Sequence, residues 1–101
     1  MTSMADDVVV TNNEDEHRYE AHIGGALAGV VEYALTDGLI TFIHTEVGDA
    51  YEGRGVGSAL ARTALDEVRA AGERQVRSLC PFVRTWIERH PAYRDLLNFP
   101  A

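Results

Sequence analysis

The residues with the strongest chemical potential form a glycine-rich segment, Glu-Gly-Arg-Gly-Val-Gly-Ser, at positions 52–58. Its glycines, Gly53, Gly55 and Gly57, stand directly before a run with helical spacing. The N-terminus of a helix offers unpaired N–H groups and the positive end of a dipole, and glycine has no Cβ atom to keep a phosphate away from the backbone. The segment therefore predicts a phosphate-binding turn, with a flexible turn that binds nothing as the alternative.

Two common phosphate-binding motifs do not explain this segment. A P-loop needs a lysine after its last glycine, and the chain contains no lysine. The dinucleotide fingerprint Gly-x-Gly-x-x-Gly, counted from Gly53, would have Ser58 in its last place. That fingerprint also needs a chiefly parallel sheet, which the preceding strands do not predict.

Four strands joined by short turns are predicted before the glycine-rich segment. Asn, Gly and Asp residues mark the turns, at positions 12–13, 24–25 and 37–38. Such short connections leave no room for helical crossovers and predict an antiparallel meander. The predicted strands are Val8–Val10, His17–Ile23, Ala26–Leu35 and Leu39–Val47.

Helical spacing replaces strand alternation after the segment. Apolar residues recur at helical positions from Val56, and Gly72 is placed to end that long helix. The short run Gln75–Leu79 predicts a fifth strand, which should lie parallel to the fourth because a helix separates them. Pro81 opens a second helix, and Tyr93–Leu97 adds one helical turn. The predicted fold class is α+β: a meander of about four strands, a long helix, a fifth strand and short C-terminal helices.

Bulk composition limits the class of protein and its partners. The 101 residues suit one domain, 1–101, with residues 1–7 expected to be flexible. A net charge of −7 argues against nucleic-acid and membrane partners, since both attract positive proteins. One cysteine excludes an internal disulfide, and no signal peptide or run of about 20 apolar residues is present, so a cytoplasmic protein is expected. The histidines lack the spacing of metal ligands, so no metal is expected.

The segment Tyr51–Leu60 resembles the acetyl-CoA motif of the GNAT superfamily of N-acetyltransferases, Gln/Arg-x-x-Gly-x-Gly/Ala. Gly55 and Gly57 match this motif, whereas Glu52 stands where Gln or Arg is usual. The predicted order of elements also resembles the GNAT core, over roughly Ile23–His90. The short length and the Cys-Pro-Phe-Val segment at 80–83 are similar to a small, minimal GNAT subfamily.

The resemblance implies acetyl-CoA or coenzyme A as a cosubstrate. Backbone amides of the glycine-rich segment would hold the pyrophosphate, and the backbone near the end of the fourth strand would pair with the pantetheine arm. Two arginines are candidates for the 3′-phosphate, although exposed arginines can simply face solvent. The acyl-CoA site implied in this way comprises Thr45, Val47, Glu52, Gly53, Arg54, Gly55, Val56, Gly57, Ser58 and Arg84.

The usual general acid of the family is missing from its usual place. Many GNAT enzymes carry a tyrosine there, but this chain has Ile87, which has no proton to give, and Tyr93 is one possible replacement. Cys80 precedes Pro81, a residue suited to the first helical position, so Cys80 is expected at a helix N-cap, where the dipole and free N–H donors favour a thiolate. Near the thioester, Cys80 could donate a proton or act as the nucleophile that forms an acetyl-cysteine. A small buried hydrophobe is the alternative.

His44 is the second candidate for catalysis. Strand alternation predicts that it lies opposite Thr45 and Val47 and on the same face as Phe42. His44 could act as a base for Cys80 or for the acceptor amine, or could simply bond to a neighbouring carbonyl group. Glu46 on the same face is a candidate for orienting His44 or binding the amine.

The predicted function is acetyl-CoA-dependent N-acetyl transfer to an unknown amine, with Cys80 as the candidate residue through which the acetyl group passes. The gap between Val10 and His17 is too short for the helices that shape the acceptor site in larger GNAT members. The acceptor pocket is then shallow, absent or completed by a second copy in a homodimer. The alternatives are a non-catalytic acyl-CoA-binding or sensing module, and an interaction domain that binds no nucleotide.

Overall fold

A computed structural model describes residues 7–97, so the predicted flexibility of residues 1–6 lies outside the described residues. The strands in this range are β1 (Val9–Asn13), β2 (Arg18–Ile23), β3 (Ala26–Thr36), β4 (Leu39–Val47) and β5 (Gln75–Ser78). The α-helices are α1 (Val56–Ala71) and α2 (Pro81–Arg89). Short 3₁₀ turns lie at Glu14–Glu16, Asp49–Tyr51 and Pro91–Leu96.

The strands form one sheet in the order β1-β2-β3-β4-β5. Neighbours among β1 to β4 are antiparallel, and β5 is parallel to β4. The predicted α+β class, the meander and the parallel fifth strand are therefore confirmed. The turn predicted at Asn12 and Asn13 is wrong, because both residues pair with β2 and the chain reverses just afterwards, where the Asn13 side chain accepts a hydrogen bond from the Glu16 N–H.

Both helices pack on one face of the sheet, which we call the inner face. Its buried side chains include Tyr19, Val31 and Phe42, and they form a single apolar cluster with residues of α1 and α2. The opposite, outer face carries exposed polar residues such as Glu32 and Glu46. Within residues 7–97 the domain is thus a two-layer structure with one sheet face open to solvent.

A β-bulge changes the alternation of side chains along β4. Glu32 pairs with His44 and the next residue of β3 pairs with Phe42, so Ile43 is an extra residue in β4. A bulge moves all following side chains to the opposite face. Thr45 is consequently on the inner face, together with Phe42, and His44 is on the outer face. The expectation that His44 and Phe42 share a face is wrong for this reason.

Glycine is required where α1 begins against the sheet. A Cβ atom at Gly29 would lie 2.9 Å from the backbone oxygen of Glu46 and 3.0 Å from the Cγ1 atom of Val56. Val56 is the first residue of α1 and is fully buried. The absence of a side chain at Gly29 therefore lets the start of α1 sit close to the ends of β3 and β4.

Gly29→Ala is expected to destabilise the protein by about 1–3 kcal/mol, because the added methyl group overpacks this contact. For a domain of this size, each kcal/mol lowers Tm by roughly 4–8 °C, which differential scanning calorimetry measures. Gly48→Ala is the matched control, since its nearest contact would be a movable ring carbon of Tyr51 at 3.3 Å. Equal Tm values for the two variants would contradict the proposed close approach.

Candidate functional site

Residues 52–55 of the glycine-rich segment form a turn, and residues 56–58 are the first three residues of α1. Gly53 has φ 80° and Gly55 has φ 79°, a left-handed conformation that favours glycine, and a Cβ atom on either residue would meet nothing within 4 Å. Gly55 is the N-cap residue of α1, and its first turn contains no acidic residue and no side-chain cap. The first N–H groups of α1 therefore have no side-chain acceptor within the described residues, as an anion-binding helix start requires.

A cavity of about 530 Å³ lies between this turn and α2. We call it the cradle cavity. Most residues of the acyl-CoA site expected from the sequence line it, namely Val47, Glu52, Gly53, Gly55, Val56, Gly57 and Ser58. Its opposite wall is formed by residues of α2 and by His90, which follows α2. None of them was predicted as a site residue: Phe82, Thr85, Trp86, Arg89 and His90.

The missed wall has a recognisable sequence signal. Phe82, Trp86 and Arg89 are spaced as neighbours on one helical face, which predicts a shared surface but not what that surface contacts. Phe82 is 42% exposed and is not a core residue. Its ring lies over Gly57, where an added Cβ would be 2.7 Å from the ring. Gly57 is therefore needed for packing against α2 as well as for an open backbone.

A hydrogen bond joins the two walls of the cradle cavity. The indole N–H of Trp86 donates to the Ser58 hydroxyl oxygen at 2.9 Å. Trp86 is buried, and the ring of His90 stacks on it with 3.8 Å between centroids. This contact fixes the distance between the start of α1 and α2, and so the width of the cavity.

β4 and β5 stop pairing before β4 ends. Their pairing ends at Phe42 and Ser78, followed by one hydrogen bond from the Leu79 N–H to the Phe42 carbonyl oxygen at 2.9 Å. The chain then turns into α2, whereas β4 continues to Val47. The last part of β4 consequently lacks a strand partner on its β5 side within residues 7–97.

Cys80 is the N-cap residue of α2, as the sequence predicts. Its thiol makes no capping hydrogen bond, so the expected contact with the free N–H groups of the helix is wrong. The Sγ atom instead lies 3.2 Å from the Thr45 Oγ1 atom, and either atom can donate. Cys80 is 3% exposed and is not among the residues that line the cradle cavity.

His44 lies on the other side of the sheet from this thiol. Its side chain is 56% exposed, and its Nε2 atom is 4.0 Å from a Glu46 carboxylate oxygen. The structure therefore brings Thr45 rather than His44 next to Cys80. His44 and Glu46 face the solvent on the outer face, where only a reactant approaching from that side could meet them.

The two arginines expected at the 3′-phosphate lie outside the lining of the cradle cavity. Arg54 stacks over Tyr51, with 5.8 Å from its guanidinium carbon to the ring centroid. Arg84 points to the other side of α2 and donates to the Ser78 carbonyl oxygen at 3.1 Å. Arg89 is the arginine that lines the cavity.

Tyr93, the possible replacement acid, is occupied elsewhere. Its hydroxyl donates to the Asp66 carboxylate at 2.7 Å, and its ring packs edge-on against Trp86. The hydrogen bond to Asp66 raises the pKa of the Tyr93 hydroxyl, with a further increase from burial. These contacts describe a packing residue on the side of α1 rather than an acid beside Cys80.

Comparison with known protein families identifies the chain. Residues 18–96 match the family described as GCN5-related N-acetyl-transferase. The chain belongs to this family. GCN5-related N-acetyltransferases generally use acetyl-CoA, so membership implies an acyl-CoA donor and an acceptor substrate. A comparison with curated proteins finds no match.

Solved structures confirm the GNAT fold. A GCN5-like protein from Staphylococcus aureus is 19% identical with a TM-score of 0.68, covering 96% of this chain and 92% of that chain. A ribosomal-protein-alanine N-acetyltransferase from Brucella melitensis biovar Abortus 2308 is 14% identical, with a TM-score of 0.61 and coverage of 94% and 92%. Ard1 from Thermoplasma volcanium is 22% identical, with a TM-score of 0.55 and coverage of 63% and 44%.

Neither a membrane-spanning helix nor a cluster of metal ligands is found within residues 7–97. None of the helices there combines the length and apolar character needed to cross a membrane. That part of the chain also holds no group of three or more His, Cys, Asp or Glu side chains that could share a metal ion.

Ser58→Ala is expected to lower the free energy of unfolding by about 1–3 kcal/mol, because it leaves the buried Trp86 N–H without an acceptor. In a Trp86→Phe background the same substitution should cost clearly less, since that N–H is gone. Urea denaturation followed by far-UV circular dichroism measures all four proteins of this double-mutant cycle. An equal effect of Ser58→Ala in both backgrounds would show that the hydrogen bond contributes nothing.

Proposed function

We propose that this chain binds acetyl-CoA in the cradle cavity and transfers the acetyl group to an amine. The observation that carries the proposal is the uncapped start of α1, which opens into a cavity that Val47, the last residue of β4, also lines. Its N–H groups would hold the pyrophosphate. Arg89, which lines the opposite wall, supplies a positive charge for the 3′-phosphate.

Glu52 works against this binding. Its carboxylate lines the cavity and is exposed, where GNAT motifs usually carry Gln or Arg. A negative charge near a pyrophosphate is repulsive, although water and salt screen the effect at an exposed position. The attraction for the phosphates of acetyl-CoA must therefore come from the backbone N–H groups and Arg89. We expect a moderate affinity for acetyl-CoA.

The pantetheine arm would follow β4 toward Cys80. Val47 lines the cradle cavity, and Thr45, two residues earlier on the same face, contacts the Cys80 sulfur. Unpaired backbone groups on this side of β4 would pair with the amides of the arm, as an added strand does. A thioester at the end of the arm then lies in the space between β4 and the start of α2.

Two chemical steps are compatible with this placement. In the first, the Cys80 thiolate attacks the thioester carbonyl, the bond to the CoA sulfur breaks, and the acetyl-cysteine is later attacked by an amine, which loses a proton as Cys80 leaves. In the second, the amine attacks directly and the Cys80 thiol donates its proton to the departing CoA thiolate. The Thr45 hydroxyl orients the sulfur in both.

The acceptor amine would approach from the outer face. No helix covers that face within residues 7–97, so His44 is accessible there. It could accept the amine's proton if the amine reached the thioester through the gap beyond the end of the β4–β5 pairing. The same openness favours the second candidate function, a non-catalytic acyl-CoA-binding module, because no enclosed acceptor pocket is present on this side in the described part of the chain. Release of free CoA from acetyl-CoA over time distinguishes the transferase from the non-catalytic module.

Gly53→Ala is expected to weaken acetyl-CoA binding at least tenfold, because it strains the left-handed turn and adds a methyl group to the cradle. Isothermal titration calorimetry measures the affinity. Gly38→Ala is the matched control: Gly38 has φ 71°, its Cβ would also meet nothing within 4 Å, and it lies in the β3–β4 turn at the far end of the sheet. Equal losses in both variants, or no binding by the unmodified protein, would reject the cradle.

Cys80→Ala is expected to abolish acetylation of the chain by acetyl-CoA, as detected by intact mass spectrometry and peptide mapping. Thr45→Val keeps the size of the side chain but removes its hydroxyl, and should slow the appearance of free CoA several-fold. An adduct on Cys80 supports the acetyl-cysteine route. CoA release that requires both Cys80 and an added amine, with no adduct, supports the proton-donor route.

Undiminished CoA release by Cys80→Ala would remove Cys80 from the mechanism. Acetyl-CoA binding with neither an adduct nor free CoA would favour the non-catalytic module. The calorimetric measurement on the Gly53 and Gly38 variants stands independently of both results.

A further inference from the structure

A second cavity, of about 610 Å³, lies on the side of α2 that faces away from the cradle cavity. We call it the edge groove, because it runs along β5, the edge strand of the sheet. The two cavities share no lining residue. α2 presents Arg84 and Ile87 to the edge groove but Phe82 and Trp86 to the cradle cavity.

Three arginines from three different elements line the edge groove. Arg77 belongs to β5, Arg84 to α2 and Arg94 to the 3₁₀ turn that follows, and the one acidic residue among the lining residues is Glu88. This local excess of positive charge contrasts with the net charge of −7 for the whole chain. Three arginines around one groove of an acidic protein favour the binding of an anion there.

The arginines of the edge groove are not used in ion pairs. Elsewhere in the structure, Arg18 pairs with Glu20 and Arg69 pairs with Asp95. No hydrogen bond or ion pair of the Arg77 or Arg94 guanidinium group occurs within residues 7–97. Arg84 is held in place by its hydrogen bond to the Ser78 carbonyl oxygen, which leaves other donors of its guanidinium for a ligand.

The floor of the edge groove is apolar. Val76 and Ile87 are fully buried beneath it, Leu97 is partly buried at its side, and Leu79 is 55% exposed at its rim. An apolar floor with a few convergent polar groups is typical of small-molecule sites, and the volume lies in their usual range of roughly 300–1,000 Å³. Leu79 and Leu97 leave apolar surface in contact with water, and the apolar part of a ligand would cover that surface more favourably.

We propose that the edge groove binds a small organic anion with an apolar body and a carboxylate or phosphate head. The planar guanidinium groups match both head groups through paired hydrogen bonds. The apolar body would lie against Leu79 and Leu97. This site is separate from the cradle cavity and does not depend on the proposed transferase activity.

Octanoate and octyl phosphate are suitable probes, and ¹H–¹⁵N spectra of the labelled full chain are the readout. Either probe should cause saturable shifts of the backbone amides of Val76, Leu79 and Leu97. Octylammonium, with the same body and the opposite charge, and acetate, which lacks the body, should bind at least tenfold more weakly. Added salt should weaken the binding of octanoate. The two anionic probes distinguish a carboxylate site from a phosphate site.

Arg77→Gln and Arg94→Gln should each weaken binding by about tenfold, the effect of one charge-assisted hydrogen bond. Both residues are exposed and have no side-chain partner in the described chain, so these variants should fold normally. Arg18→Gln is the control that removes the same charge far from the groove. Its affinity should equal that of the unmodified protein.

Several results would each overturn the proposal. They are no saturable binding of either anion, equal binding of octylammonium and octanoate, and unchanged affinity in both arginine variants. Shifts confined to residues of the cradle cavity would also overturn it, because they would assign the anion to the other side of α2.

Discussion

The position of the candidate site depends on one close contact, between the start of α1 and the sheet. Val56 is buried against Gly29, and the left-handed residues Gly53 and Gly55 turn the chain so that α1 can begin there. The N–H groups of the next turn are thereby fixed in space at the rim of a cavity. The contacts of Gly57 with Phe82 and of Ser58 with Trp86 then place α2 as the opposite wall.

The second constraint is the geometry of β4. Its pairing with β5 stops at Phe42, so the remaining part of the strand has free backbone groups on that side among the described residues. The bulge at Ile43 moves Thr45 to the inner face and His44 to the outer face. A reactant entering from the helix side therefore meets Thr45 and Cys80, whereas one from solvent meets His44. The sheet therefore separates Cys80 from His44.

The short helix α2 has two working faces in this small domain. One face closes the cradle cavity with aromatic side chains, and the other lines the edge groove with Arg84 and Ile87. The sheet carries a single layer of helices, and α1 and α2 together cover its inner face. The net charge is −7, yet arginines line both cavities, Arg89 in the cradle cavity and three arginines in the edge groove. Local placement of charge, not the total, decides what such a protein can bind.

The sequence by itself determined the elements and the location of the glycine-rich turn, since these depend on local periodicity, caps and turn residues. Gly72 ends α1 in a left-handed conformation and Pro81 begins α2, as their types require. Tertiary structure alone decided the faces and the neighbours. Strand alternation put His44 beside Phe42, because a single extra residue in a strand leaves no mark in the pattern. Arg84 was expected at the cofactor but faces the edge groove, because helical spacing predicts which residues share a face and not where that face points.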